Sequence, residues 1–399
     1  MFASRHSSII SFVVRIILFA LPLLFVVVAL EWMLWHTGDS VPARQILIQQ
    51  QRQVDTLYGR SYFSQQFNVY KIAAMRLRKP TILVLGSSRV MQFRDLMFAP
   101  LEQQFYNAGG MLQNAFDLRS FTNMIMEGEL PAPRVLIVGI DPWWIKRDYG
   151  ESSWLADPDE VYSPAAHVSV MRRILRSGSK LQALITDYQL PVHTPSGHLG
   201  LGSLARRNSS GFRPDGSKLS PLQVFVDYAQ TPNFVDRESP PVIQRIRKHI
   251  SPFSLPAVVD QEQVGHIIES LKTLKGRGIE VYAFFAPFSA ESLTALDYDS
   301  DMAPWWCYYK EKLPQLLHHQ GIPVISILCP SDLGLDDRYM LDGFHPGEVF
   351  IAQMTERLVG LAPSSSPLKA VDLILLTDRV KNAVMPLSLG IPSEPRANK

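Results

Sequence analysis

The chain has 399 residues, enough for one large α/β domain or two smaller ones, and its 46% apolar and 19% charged residues describe a globular protein with some added apolar sequence. Thirty-nine basic and 37 acidic residues give a formal net charge of +2, without the basic bias of a nucleic-acid-binding domain. Cys307 and Cys329 are the only cysteines, so disulfide-framework and zinc-site classes are excluded, although the two could pair in an oxidising compartment.

The added apolar sequence comes first. Residues 9–35 are apolar except for Ser11, Arg15 and Glu31, and about 20 such residues suffice to cross a bilayer. Arg5 and Arg15 on the amino-terminal side make residues 1–8 a cytoplasmic tip and place the rest of the chain outside the cytoplasm. A cleaved signal peptide is the competing reading. The length of the stretch and the lack of an A-x-A-like site at its end favour an uncleaved single-pass anchor. Residues 36–78, with the glutamine-rich "QILIQQQRQ", read as a stalk or linker.

Short apolar runs then alternate with helical patterns. The runs are "TILVLG" (81–86), "QFYNAGG" (104–110), "RVLIVGID" (134–141), "EVYAFFAP" (280–287) and "IPVISIL" (322–328). Leu118, Phe121 and Ile125 fall at helical spacing, as do Val264, Ile267, Ile268, Leu271 and Leu274. Asp260 is placed to cap the second helix and Gly276 to end it. Pro346 is placed to open a last helix with Phe350, Ile351, Met354 and Leu358 inward. Five nearly continuous apolar strands alternating with helices predict an α/β fold with a five-stranded parallel sheet covered on both faces. Residues 150–255, rich in Ser, Pro, Gly and Arg, read as an insertion over one edge. The tail at 363–399 docks on the domain or lies at a membrane surface.

In such sheets ligands bind beyond the carboxyl ends of the strands. There the chain delivers Gly86-Ser87-Ser88-Arg89, Asn107-Ala108-Gly109-Gly110, Gly139-Ile140-Asp141-Pro142 and, before the last helix, Asp342-Gly343-Phe344-His345. A hydroxyl, close-approach amides and an acid–histidine pair on one rim are the inventory for nucleophilic acyl transfer. A serine at a strand end is also an ordinary helix cap, and a histidine is more often a satisfied surface residue. The four blocks in order favour the chemical reading.

These four blocks resemble those of the SGNH/GDSL hydrolase superfamily over residues 79–362, and in particular its membrane-anchored bacterial members linked to envelope polysaccharide O-acetylation, the alginate acetylation proteins and DltD. The resemblance implies a flavodoxin-like three-layer α/β/α fold, Ser88 as nucleophile, His345 as base and Asp342 as its orienting acid. It also implies that the amides of Ser88 and Gly109 form the oxyanion hole, helped by the helix expected behind Ser88. An O-acetyltransferase or esterase acting on an envelope glycan at a bacterial inner membrane is then the expected protein, with an extracytoplasmic catalytic domain and no cofactor or metal. A membrane-bound O-acyltransferase is its expected partner; nucleic acid is not.

One block departs from the pattern. The family places an asparagine, a side-chain oxyanion donor, where this chain has Asp141. An ionised carboxylate cannot donate a hydrogen bond. The alternative is therefore a catalytically degenerate scaffold or binding component of a polysaccharide modification or export complex. A lipid or thioester hydrolase is a third reading, supported only by the tether. Arg89 either contacts substrate or makes a structural ion pair, the ion pair being preferred, and Asp141 either acts or buttresses a loop. The pairs Trp143-Trp144 and Trp305-Trp306 either stack on sugars or pack in the core. "GFRPDGS" (211–217) has no assigned chemistry.

Overall fold

The strands are β1 (Thr56–Tyr58), β2 (Ile82–Gly86), β3 (Phe105–Gly109), β4 (Val135–Gly139), β5 (Leu199–Leu201), β6 (Gly211–Phe212), β7 (Lys218–Leu219), β8 (Glu280–Phe285) and β9 (Val324–Ser326), in a computed structural model that describes residues 2–63, 67–147, 149, 155 and 163–390. The five apolar runs of the sequence are β2, β3, β4, β8 and β9. They form one sheet in the order β3-β2-β4-β8-β9, with every neighbouring pair parallel. Counted within that sheet the order is 2-1-3-4-5, with a switch point between the first two connections.

Alternation along each strand builds two cores. Leu83, Leu85, Tyr106, Leu136, Val138, Val281 and Phe285 face one side and meet Leu118, Phe121, Ile267, Leu271 and Leu317. Ile82, Val84, Phe105, Ile137, Tyr282 and Phe284 face the other and meet Phe350, Ile351, Met354 and Leu358. Period-2 strands packed against period-3.6 helices on both faces give three layers. The helix Gln261–Gly276 starts where the sequence predicts, with the Asp260 carboxylate accepting from the amides of Glu262 (2.9 Å) and Gln263 (3.4 Å). The helix expected at Pro346, Glu348–Leu361, starts two residues after it because Met340 and Pro346 close a bridge first, and a further helix, Leu373–Lys381, follows in the tail.

The N-terminal helix spans Phe2–Thr37. Its stretch Val14–Thr37, of mean hydropathy 2.5, is long and apolar enough to cross a membrane. From Ser11 on, most of its described side chains are exposed, but Leu30 and Leu34 are buried against Phe63, Val170, Met171, Ile174 and Leu184, so the end of the helix is packed on the domain.

Residues 36–78 are not a stalk. The helix Ala43–Arg52 buries Ala43, Ile46 and Leu47, the helix Asn68–Arg78 buries Tyr70, Ala74 and Met75, and β1 joins β5, β6 and β7 in a second, four-stranded sheet. That sheet stitches the 150–255 insertion to the N-terminal segment, and Phe212, Val242, Ile246 and Phe253 carry the insertion into the main core. Residues 148, 150–154 and 156–162 of the insertion region and 391–399 of the tail lie outside the described residues. The described tail docks on the domain, with Leu368, Val371 and Leu376 buried. Cys307 is exposed, Cys329 is buried, and both are free.

Glu348, 1% exposed, ties these additions to the sheet. Its carboxylate meets Arg94 from the loop after β2 at 3.1 Å and Arg213 of the insertion at 2.8 Å, and it accepts from the tail amide of Leu389 at 2.9 Å. Burial pushes this carboxyl up, but Arg94 and Arg213 outweigh burial and the net shift is down. A depressed folded value means that this contribution is complete above the ordinary pKa of 4.5 and is lost as pH falls through the lower folded value. Glu348→Gln leaves two buried guanidinium groups without their counter-ion. Its unfolding free energy, read from denaturant midpoints at neutral pH, falls by about 3–5 kcal/mol.

Candidate active site

At the end of β2 the two hydroxyls divide their work. Ser87 Oγ accepts the amide of Arg89 at 3.2 Å and so caps the turn. Ser88 Oγ, partly exposed, lies 2.8 Å from His345 Nε2, across 257 positions of chain. His345 Nδ1 lies 2.7 Å from Asp342 Oδ2. Asp342 Oδ1 accepts the amides of Phe344 (3.0 Å) and His345 (2.9 Å), an Asx-type turn that fixes the carboxylate beneath the ring. Leu341 N donates to His345 O at 2.8 Å and closes the loop.

Burial raises the Asp342 carboxyl, yet His345 and the two amides overcome it, and the net shift is down. An ionised Asp342 accepts Nδ1–H and leaves Nε2 as the acceptor for the Ser88 hydroxyl proton, an assignment made from the network. A proton path from alcohol to imidazole, with the cation stabilised by a carboxylate, is what nucleophilic activation of a serine requires.

Arg89 holds this arrangement and is no substrate contact, because its side chain is 0% exposed. Nη1 meets Asp141 Oδ1 at 3.2 Å, Nη2 donates to Ala286 O (2.7 Å) and Pro287 O (2.6 Å), and Nε donates to Phe344 O (3.0 Å). The guanidinium carbon also stands 4.3 Å from the centroid of the Phe288 ring. One side chain thus joins the ends of β2, β4 and β8 to the histidine loop. Close approach of the strand ends is equally strict, since a Cβ on Gly139 would meet Val90 Cγ1 at 2.3 Å.

Two expectations for the oxyanion hole are corrected, that of the Gly109 amide and that of a helix behind Ser88. Asp141 buttresses the site as the counter-ion of Arg89; burial raises its carboxyl, and Arg89 and Ser87 offset that only in part. The Gly109 amide is already spent on Asn107 Oδ1 at 2.7 Å. Behind Ser88 stands a single 3₁₀ turn, Ser88–Val90, too short to build a helix macrodipole. Among the described residues, the amides of Ser88 and Met111 have no acceptor.

Glu238 was also missed. One oxygen of it, one of Asp342 and a nitrogen of His345 lie within 4.8 Å of one another, and Glu238 pairs with Arg245 at 3.0 Å. It stands inside the insertion, where no spacing ties it to the other blocks. All four paired tryptophans are core residues, between 0% and 5% exposed. Trp305 Nε1 donates to Pro142 O at 2.9 Å, which places that pair beneath the Asp141 turn and away from any glycan.

No family model and no curated protein matches the chain. Site geometry therefore carries the functional reading.

Arg89→Met strands Asp141 without its counter-ion and lowers stability by about 3–5 kcal/mol. Adding Asp141→Leu removes the stranded charge and restores part of that loss. Denaturant midpoints of both single variants and the double variant check the coupling.

Proposed function

We propose that the protein is a membrane-anchored serine acyl-transfer enzyme of SGNH type, an esterase or O-acyltransferase acting on a cell-envelope polysaccharide. The observation that carries it is the unbroken path from Ser88 Oγ through His345 to Asp342, with contacts of 2.8 and 2.7 Å. The 2-1-3-4-5 parallel sheet and the position of the site at its carboxyl edge also favour this reading.

In the first half-reaction His345 Nε2 takes the hydroxyl proton as Ser88 Oγ bonds to the acyl carbon. The oxyanion is received by the free amide of Ser88. The carbon–oxygen bond to the leaving alcohol then breaks, and His345 returns its proton to that alcohol. In the second half-reaction His345 deprotonates water or a sugar hydroxyl, which takes the acyl group from Ser88. Asp342 holds the ring tautomer and stabilises the imidazolium throughout. The apolar N-terminal helix favours a membrane tether, and an extracytoplasmic glycan with a membrane-bound O-acyltransferase as acyl source fits such a tether.

A scaffold with a degenerate site is the second reading. It is favoured by the diversion of Asp141 to Arg89 and of the Gly109 amide to Asn107. Covalent labelling separates the two. Full-length protein treated with a fluorophosphonate acquires the label on Ser88 by peptide mass, and Ser88→Ala stays unlabelled. His345→Ala slows labelling by about 10²–10⁴-fold. Folded wild-type protein that takes no label, or label persisting in Ser88→Ala, sinks the enzymatic reading.

A further inference from the structure

The segment Gly211–Lys218 builds one wall of a cavity beside the nucleophile turn. The cavity, of about 100 Å³, lies between apolar side chains that include Phe67, Met91, Met111 and Phe212, with Gly109 and Gly110 along its edge. It adjoins Ser88 through the backbone, since Gly110 N donates to Ser87 O at 3.0 Å and Met91 N to Ser88 O at 3.2 Å. No carboxylate lines this cavity, yet two lysines do, Lys71 and Lys218.

The two amines differ. Lys71, 1% exposed, is a strut: Nζ donates to Asn107 O at 2.8 Å and to Gly216 O, and lies 4.1 Å from the Phe212 ring centroid. Lys218 is held only by its backbone, whose amide donates to Met91 O at 3.0 Å, and its ammonium has no hydrogen-bond or ion-pair partner among the described residues. Burial is the main influence on that amine and lowers its pKa; Glu238 and Asp342 act in the opposite sense, so it lies within electrostatic range of the triad acid.

Its position is prepared. Asp215 Oδ1 accepts the amide (2.9 Å) and hydroxyl (2.7 Å) of Ser217, and Asp215 O receives Asn107 N of β3 at 2.8 Å. Gly216, at φ +82°, leaves no room for a Cβ, which would meet Asn107 O at 2.2 Å. A hairpin fastened this firmly to β3 presents at the cavity a half-buried ammonium that no carboxylate of the described residues pairs, a place where a ligand can supply the anion.

We propose that this cavity receives the acyl chain carried by Ser88, and that Lys218 selects acyl groups ending in a carboxylate, the half-esters of short dicarboxylic acids. The inference rests on the serine acyl-transfer reading. The apolar walls take the methylenes and the ammonium takes the distal carboxylate. That carboxylate passes unchanged through the reaction; the acyl carbon moves from alcohol to Ser88 Oγ and on to water, releasing the dicarboxylate.

The test uses the full-length protein in detergent with two esters that differ only at the far end, 4-nitrophenyl hemisuccinate and 4-nitrophenyl butyrate, each corrected for its uncatalysed rate. Wild type prefers the hemisuccinate in kcat/KM by about tenfold or more. Lys218→Met lowers the hemisuccinate-to-butyrate ratio by a similar factor, and Ser88→Ala abolishes turnover of both. Free succinate competes with butyrate ester hydrolysis by wild type at about tenfold lower concentration than free butyrate, a measurement that needs no folded variant. Ser88-dependent turnover with equal or greater preference for butyrate, or with a ratio indifferent to Lys218, overturns the cavity assignment and leaves the serine reading standing. No Ser88-dependent turnover of either ester overturns both.

Discussion

The carboxyl edge of the central sheet depends on one buried cation. Arg89 follows Ser88 directly in sequence, and its guanidinium is shared among Asp141, three backbone carbonyls and the Phe288 ring. A fully buried guanidinium persists only where its donors are met and its charge is answered. Meeting them pins Phe344, and with it the histidine loop, to the turn that holds Ser88. The contact between Ser88 and His345 is therefore a consequence of satisfying Arg89. Removing the clamp strands the Asp141 charge and frees the loop together.

The same constraint explains why an aspartate stands in the third block. An asparagine there would offer a donor toward an oxyanion but no charge for Arg89. The chain has committed that position to positioning the site. Backbone amides and a nearby ammonium are the remaining sources of positive potential at the edge. A second cluster, centred on Glu348, repeats the logic on the other side: two arginines from distant segments and a tail amide converge on one buried carboxylate. It is the means by which the insertion and the C-terminal tail become part of one body with the sheet.

Much of this was legible in the linear chain. The five strands follow from short apolar runs, and the Gln261–Gly276 helix from its stripe and its Asp260 cap. Ser88, Asp342 and His345 were found because each ends a strand or precedes a helix in the right order. The misreadings share a cause. Residues 36–78 look polar, yet Ile46, Leu47, Tyr70 and Met75 are buried, because their two helices pack on each other, on β1 and β3, and on Phe212 of an insertion far along the chain. Gly109 looked like an oxyanion donor because residue type says nothing about where an amide is already spent. Glu238 and Lys218 stand in the insertion, where no periodic pattern announces a role.

The sequence alone determined the five strands of the main sheet, its principal helices and the chemical inventory, since hydrophobic periodicity, capping and the order of the blocks are local properties of the chain. Only the tertiary structure decided how that inventory is used: which hydroxyl caps and which faces the imidazole, that Asp141 answers Arg89, and that the amine of Lys218 is left over. Those assignments follow from the satisfaction of buried charges and hydrogen-bond donors. Such satisfaction is a property of all the groups that meet in space, and no single stretch of sequence contains them.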